Sequence, residues 1–421
     1  MHMAEMSWRR CDLCTELNAD ELLKLREELN FLVYKNFVKL KKMSQYASRL
    51  VEMAGTLEPG TVIRPTIDEE GVKLLVERLY GISALELVKL NGYDDKNYKI
   101  TEDPNVKNPL ITSHSENGYV LKIMNTIDSQ NVTVVEAQNE IMNFLGARGI
   151  TCPKPIRNVY GHLHSIENIN GKQHAVRLLE YIPGELLQDV PTSEALMYQL
   201  GEFVANLDTK LQNFNHSGLI SREHMWMLTK IPELSKFTYV IKEQEKLDLV
   251  EEVIEEFKYA VLPRLDELEK GVIHGDVNEM NVIVGLKPGS SNSDYRITGI
   301  IDFGDIQYSY YVFEVAITMT YMMLITGDPR AGGYVLAGYT VNRRLPDEEY
   351  RLLKVLISSR LVQSLVLGAY TREQDPSNAY VSSTEKAKGW ELLKKIRKTK
   401  PTEEGDPCDW KAIANEYLTR S

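Results

Sequence analysis

One stretch constrains this chain more than any other: VIHGDVNEMNVIVGLKPGSSNSDYRITGIIDFGD, residues 272–305. It places an aspartate in a His-Gly-Asp turn (Asp276), an asparagine five residues later (Asn281), and, beyond a short apolar strand and a polar loop, the triplet Asp302-Phe303-Gly304. Phosphoryl transfer asks a protein to align two oxygens and to neutralise charge on the moving group. That takes one carboxylate near the acceptor hydroxyl and two side chains able to hold a metal ion. Asp276 fits the first role, and Asn281 and Asp302 fit the others.

Composition narrows the setting. At 421 residues the chain is long for one core and suits two lobes plus an extension, and with 43% apolar and 26% charged residues it reads as folded throughout. A net charge of −11 argues against nucleic acid or an anionic membrane as partner and suits a cationic substrate. Four cysteines are too few for a disulfide framework, so a reducing compartment is expected. Cys11 and Cys14 form a C-x-x-C without a second pair or histidines at ligand spacing, which does not make a zinc site. The longest apolar run, Val315 to Ile325, is well short of the ~20 residues that span a bilayer, and is read as a buried helix. With no secretory-type apolar segment and with acidic residues near the N-terminus, a cytoplasmic location is expected.

In chain order, residues 1–62 read as a helical extension. Asn18 to Glu21 suits a capping box, and Leu22, Leu25, Leu29, Leu32, Val33, Phe37 and Leu40 recur at helical steps. Its plain reading is a helix laid on the back of the core; its sharper one is a homodimer helix, against which Asn36 interrupts a strict heptad. A second cap, Thr66 to Glu69, opens a helix stopped by Gly81. Strands over 85–90 and 98–100 then flank the turn Asn91-Gly92-Tyr93-Asp94-Asp95, which carries one glycine where a kinase has three. Lys122 lies in the strand Tyr119–Ile123, and a helix over 133–148 offers Glu136 or Glu140 as its partner. Strands over 156–160 and 174–180 lead to Tyr181-Ile182-Pro183-Gly184, read as the hinge between lobes. From Thr192 the chain turns helical, over 196–211, 247–268, 310–325, 348–371 and 386–398. Glu314, inside an apolar helix, needs a partner and either braces the catalytic loop or meets a cationic ligand. Arg360 and Gln363 reach a substrate carboxylate or sit at the surface.

HGDVNEMN followed by IIDFGD resembles the aminoglycoside phosphotransferase and choline kinase superfamily, with Gly275 where protein kinases carry an arginine. The phrases NGYDDKNYKI, YYVFEVAITMTYMM, GGYVLAGY and SRLVQSLVLGAY are similar to the hydroxylysine kinases within it, across about residues 66–398. The resemblance implies an α+β, bilobal protein-kinase-like fold: an antiparallel nucleotide-binding lobe over 63–182, a mainly helical catalytic lobe over 183–400, and a tail over 401–421. It implies transfer of the GTP γ-phosphate to the 5-hydroxyl of 5-hydroxy-L-lysine, with ATP open as donor. Asp276 would accept the hydroxyl proton, and Asn281 and Asp302 would hold Mg2+. Lys122, braced by Glu136, would grip the phosphates, which Gly92, Tyr93, Asp94 and Asp95 would cover, while Glu180 and Ile182 would meet the purine edge. Asp305, Tyr310, Glu314 and Arg360 are the candidates for the amino-acid substrate. The alternatives are a kinase of another small amino alcohol (choline, homoserine or an aminoglycoside), or an inactive scaffold. A choline kinase needs an aromatic cage, for which Tyr308, Tyr310 and Tyr311 are available; a scaffold should lack one of Lys122, Asp276, Asn281 or Asp302, and none is missing.

Overall fold

The computed structural model describes residues 57–420 apart from 112–113, 290–293 and 400–405. The expected N-terminal helix, its dimer reading, Cys11 and Cys14 lie outside the described residues.

The first part of the chain is built on α1 (Glu69–Tyr80), β1 (Ala84–Leu90), β2 (Lys96–Glu102), β3 (Tyr119–Ile123), α2 (Thr126–Gln130) and α3 (Val132–Gly146), followed by β4 (Pro155–Ile156), β5 (Ser165–Ile169) and β6 (Lys172–Glu180). The six strands form one antiparallel sheet in the order β1-β2-β3-β6-β4, with β5 also paired to β6. The cap of α1 falls on Asp68, whose side chain accepts from the Gly71 N–H, and the helix ends at Gly81 in the left-handed region (φ 60°). Thr66 is therefore not the cap. Val72, Val76 and Leu79 pack onto Ile100, Leu121, Ile123 and Leu178 in a core of their own. The strand expected over 156–160 stops after two residues because the Asn158 side chain accepts from the N–H groups of Tyr160 (3.0 Å) and His162 (3.0 Å), closing a turn.

The second part begins with β7 (Glu185–Leu186), α4 (Glu194–Leu211), α5 (Ser217–Ile220) and α6 (Gln244–Ala260). Next come β8 (Lys270–Ile273), β9 (Val282–Leu286), β10 (Tyr295–Ile300) and β11 (Gln307–Tyr310), which form two small antiparallel sheets, β10-β9-β7 and β11-β8. Helices α7 (Tyr311–Thr326), α8 (Ala331–Asn342), α9 (Asp347–Gln374), α10 (Ser383–Lys386), α11 (Gly389–Lys398) and α12 (Trp410–Arg420) complete it. Among the described residues, α9 is the one helix long and apolar enough to cross a membrane, and most of that length is buried inside the fold.

Two helices of more than ten residues were not foreseen. α8 reads poorly as a helix because three glycines, Gly332, Gly333 and Gly338, sit inside it. They are there for contact: a Cβ on Gly338 would stand 1.9 Å from the Tyr198 carbonyl of α4, and one on Gly201 of α4 would stand 2.0 Å from the Val335 carbonyl of α8. α12 occupies the expected tail and is docked by Trp410, buried, whose indole N–H donates to the Pro329 carbonyl (2.8 Å). Because backbone faces backbone across α4 and α8, neither side can yield. Gly338→Ala is expected to cost about 3 kcal/mol of stability, measured as a fall in the denaturant midpoint; a loss below about 1 kcal/mol would contradict this packing.

Candidate active site

A cavity of about 400 Å³ opens where the β1–β2 loop, β3 and the end of β6 face the β8–β9 turn, the residues after β10, and α9. Its centre is the turn His274-Gly275-Asp276. Gly275 has φ 80°, and a Cβ there would lie 2.6 Å from the Asp305 carbonyl, so glycine is required. Burial pushes the His274 imidazole down to about 4, so it is neutral, and its Nε2–H donates to the Ile301 carbonyl (3.1 Å). The turn is held from below by Glu314 of α7, fully buried, whose carboxylate accepts the Gly275 N–H at 3.2 and 3.1 Å.

Asp276 is presented with three donors on its carboxylate. Arg360 Nη2 donates to Oδ1 (2.6 Å), while the amides of Asn278 and Asn281 both donate to Oδ2 (2.9 Å each). Burial pushes this carboxyl up to about 6, with Arg360 pulling the other way. Arg360 itself is 1% exposed. Its Nε–H donates to the Tyr321 hydroxyl (3.1 Å), and Nη1 donates to the Trp226 carbonyl (3.3 Å) and Gln363 Oε1 (3.1 Å). The surface reading of Arg360 is thereby overturned.

Across the cavity, Lys122 Nζ donates to Asp302 Oδ1 at 2.6 Å and lies 3.4 Å from Asp95 Oδ2. Burial opposes charge on Lys122, yet Asp302 and Asp95 outweigh it and raise its pKa. Burial likewise opposes charge on Asp302, but Lys122 and the Gly304 N–H hold that carboxyl at about 2. Asp302 has φ 59°, a left-handed conformation uncommon outside glycine, which turns its side chain back onto Gly304 N–H (3.1 Å).

The expected brace of Lys122 by Glu136 is corrected here. Val134, Val135, Ala137, Ile141, Met142 and Leu145 set the buried face of α3, which leaves Glu136 and Glu140 in solvent. The inward polar positions are Gln138, which donates to the Gly304 carbonyl (3.0 Å), and Asn139, which accepts from Arg177 (3.3 Å). The brace comes instead from Asp95, fixed by the N–H (2.8 Å) and side-chain amide (3.0 Å) of Asn125. Two substrate candidates are also corrected. Tyr310 is buried against Phe313, and Glu314 points into the turn, so neither lines the cavity. Nor does the suggested cage: Tyr308 is exposed and Tyr311 is core. The cavity aromatics are Tyr93, Tyr181, Trp226, Tyr321 and Tyr380. Gly92, Tyr93, Asp94, Asp95, Glu180, Ile182, Asn281, Asp305 and Arg360 all line it.

Residues 90–352 match the model of the "Phosphotransferase enzyme family". Hydroxylysine kinase of Xenopus laevis is 37% identical over 348 residues, covering 79% of this chain and 90% of the relative. That of Bos taurus is 35% identical over 343 residues, with the same coverage. The chain belongs to the phosphotransferase enzyme family. In fold it is similar to an amicoumacin kinase solved with AMP-PNP, Ca2+ and Ami (TM-score 0.58, 16% identity, 82% of this chain and 97% of that one) and to a microcompartment-associated aminopropanol kinase (TM-score 0.57, 17% identity, 84% and 98%).

The phosphotransferase acts on an alcohol group, and its cavity supplies what that reaction asks of a protein. Among the described residues no group of three histidine, cysteine or acidic side chains converges on a metal position. Mg2+ beside a nucleotide does not need one, since it binds through one or two carboxylates plus phosphate oxygens and keeps several waters. The residues fit such an ion: Asp302 stays ionised, and the Asn281 amide nitrogen is committed to Asp276, which leaves its oxygen as the end available to a cation. When bound, the ion would neutralise charge on the phosphates.

Buried carboxyls also set the pH response of the free protein. Burial and neighbouring carboxylates push Asp94 and Asp305 up to about 8, and burial pushes Glu314 up to about 7. Above about pH 7.5 the histidines buried in the fold are neutral and those of the unfolded chain, with an ordinary value of about 6.5, are nearly so, while these carboxyls keep protons in the folded state that the unfolded state has lost. Stability must then fall as pH rises. Without ligands, the denaturant midpoint should drop between about pH 7.5 and about pH 8.5, through the folded-state values of Asp94 and Asp305; a midpoint that is level or rising over that interval would contradict the assignment.

Proposed function

We propose that this phosphotransferase transfers the γ-phosphate of GTP, bound with Mg2+, to the 5-hydroxyl of 5-hydroxy-L-lysine. The observation that carries the reading is Asp276, aimed into a cavity whose far wall holds the Lys122–Asp302 pair. A hydroxyl approaching Asp276 would hydrogen-bond its carboxylate and give up its proton there as the new O–P bond forms. Lys122 would exchange part of its contact with Asp302 and Asp95 for phosphate oxygens, and Asn281 and Asp302 would hold Mg2+. The segment at Glu180 and Ile182 would take the purine edge. The relatives named hydroxylysine kinase, aligned over 79% of the chain, favour this substrate over others.

Arg360 supports an amino-acid acceptor. A guanidinium carries five N–H bonds; four are spent on Tyr321, Trp226, Gln363 and Asp276, which leaves one on Nη2 beside the base. A substrate carboxylate would be bound by it. A choline-type acceptor is less well served, because the faces of Trp226 and Tyr321 that would cage a quaternary ammonium already hold Arg360 at 5.1 and 5.4 Å.

An assay of GDP release with 5-hydroxylysine, lysine and choline tests the reading. Release should depend on 5-hydroxylysine alone, and a rate that is the same without it would sink the substrate. Asp276→Ala should lower kcat by about 10³-fold while nucleotide binding, followed by calorimetry, persists; retained turnover would mean that another group is the base.

A further inference from the structure

Pairing off the charges around the cavity leaves two carboxylates over. Lys122 serves Asp95 and Asp302, Arg222 serves Asp128 (3.3 Å), Arg360 serves Asp276 (2.6 Å) and Lys154 serves Glu180 (3.4 Å). Asp94 makes no hydrogen bond or ion pair with any described residue, and the Asp305 carboxylate meets only His224 Nδ1, at 3.7 Å. Both line the cavity.

The loop that carries Asp94 is clamped there. Asn378 donates to the carbonyls of Gly92 (3.2 Å) and Tyr93 (3.3 Å), Arg64 donates to Gly92 (3.1 Å), and the Tyr93 ring stands edge-on to Trp226 at 5.0 Å. Once ionised, an aspartate fixed in a cavity that receives phosphates repels them, so a phosphate cover is a poor use for Asp94. His224 supplies an independent sign of a ligand. It is only 8% exposed, lines the same cavity, and its Nε2 is buried without a hydrogen-bond partner. Burial and the nearby cations Arg222, Arg360 and Lys230 hold its pKa well below the usual value. Nδ1 faces Asp305 without a direct hydrogen bond, and with the proton on Nδ1 the buried Nε2 is a lone-pair acceptor that lacks a donor.

We propose that Asp94 and Asp305, with His224 Nε2, form a subsite for a primary alkylammonium group adjacent to the reacting hydroxyl, so that the β1–β2 loop reads the acceptor. The inference rests on the reading above that the acceptor is an amino alcohol, and it narrows the class to primary amines, whose N–H bonds a quaternary ammonium lacks. The Asp305 backbone carbonyl lies against Gly275, the residue next to Asp276, and both aspartates line the cavity, which places the ammonium near the base and hence near the hydroxyl.

The test uses the full chain and two small probes, 1-amino-2-propanol and uncharged 1,2-propanediol, read by thermal shift. The amine should raise Tm by about 2 °C or more at saturation and the diol should not. In Asp94→Asn and Asp305→Asn the amine shift should vanish, while the ligand-free variants melt at or above wild type because a carboxyl without an ion-pair partner has been replaced by a neutral amide of the same shape. With 5-hydroxylysine the variants should lose about 10- to 100-fold in kcat/KM, chiefly through KM. No amine shift in wild type, a shift that survives in both variants, or variants that melt several degrees below wild type would overturn the subsite. If wild type does not turn over 5-hydroxylysine but the amine shift behaves as described, the substrate reading falls and the subsite stands.

Discussion

The bond between Arg360 and Asp276 fixes more of this molecule than any other. A guanidinium taken almost wholly out of water is tolerable only when its donors are met, and breaking a buried pair by deleting one partner costs about 3–5 kcal/mol. Four acceptors meet it here, from α7 (Tyr321), from the segment before the first 3-10 turn after α5 (Trp226), from α9 itself (Gln363) and from the catalytic turn. Gln363 returns the favour by donating to the carbonyls of Met225 (2.7 Å) and Met227 (3.2 Å). Helix α9 is therefore long and buried because it is the post on which the turn, the Met225–Met227 segment and α7 are all hung. Glu314 locks the same turn from the other side, so the position of the base is set by side chains from two helices rather than by its own loop.

The chemistry was legible in the sequence where it sits on short, rigid local structure. His274 to Asn281 and Asp302 to Gly304 are turns whose residues contact one another, so spacing along the chain is nearly spacing in space. Lys122 was legible because a lysine in an aromatic and β-branched strand faces one of two sides. What spacing could not settle was the rotation of a helix: on α3, Glu136 and Glu140 share a face, but the apolar set at 134, 135, 137, 141, 142 and 145 turns that face outward and brings Gln138 and Asn139 in. Arg360 and Glu314 suffered the converse problem. Each is a lone charge within an apolar helix, and no periodicity says whether its partner is a ligand, a loop or a solvent molecule. The helix over 331–342 was obscured by glycines whose purpose, a backbone contact with α4, lies outside the local sequence.

The alcohol-phosphorylating family places its burden on electrostatics, and this cavity shows how the burden is divided. Asp302 and Lys122 hold each other charged, the one at about 2 and the other above its usual value. Burial and neighbouring carboxylates hold Asp94 and Asp305 near 8. The first arrangement suits a site that must stay ionised while phosphates arrive; the second leaves carboxyls that give up their protons readily only beside a cation. A fold that hid all these groups from one another would be more stable and would bind less.

The β1–β2 loop brings these strands of argument together. A triple-glycine loop covers phosphates with bare backbone and relies on its own freedom to close. Here Gly92 has no such freedom: a Cβ would lie 2.5 Å from the Asp95 carbonyl, and its own carbonyl is held by Arg64 and Asn378. Asp95 is pinned by Asn125, and Arg64 is tied to Asp375 at 2.8 Å. Side-chain contacts to the helical part do the work that flexibility does elsewhere, so the loop arrives preorganised and loses little entropy when a ligand binds. A loop so fixed can carry side chains with specific aims, and that is the physical reason one glycine suffices where the sequence alone suggested that something was missing.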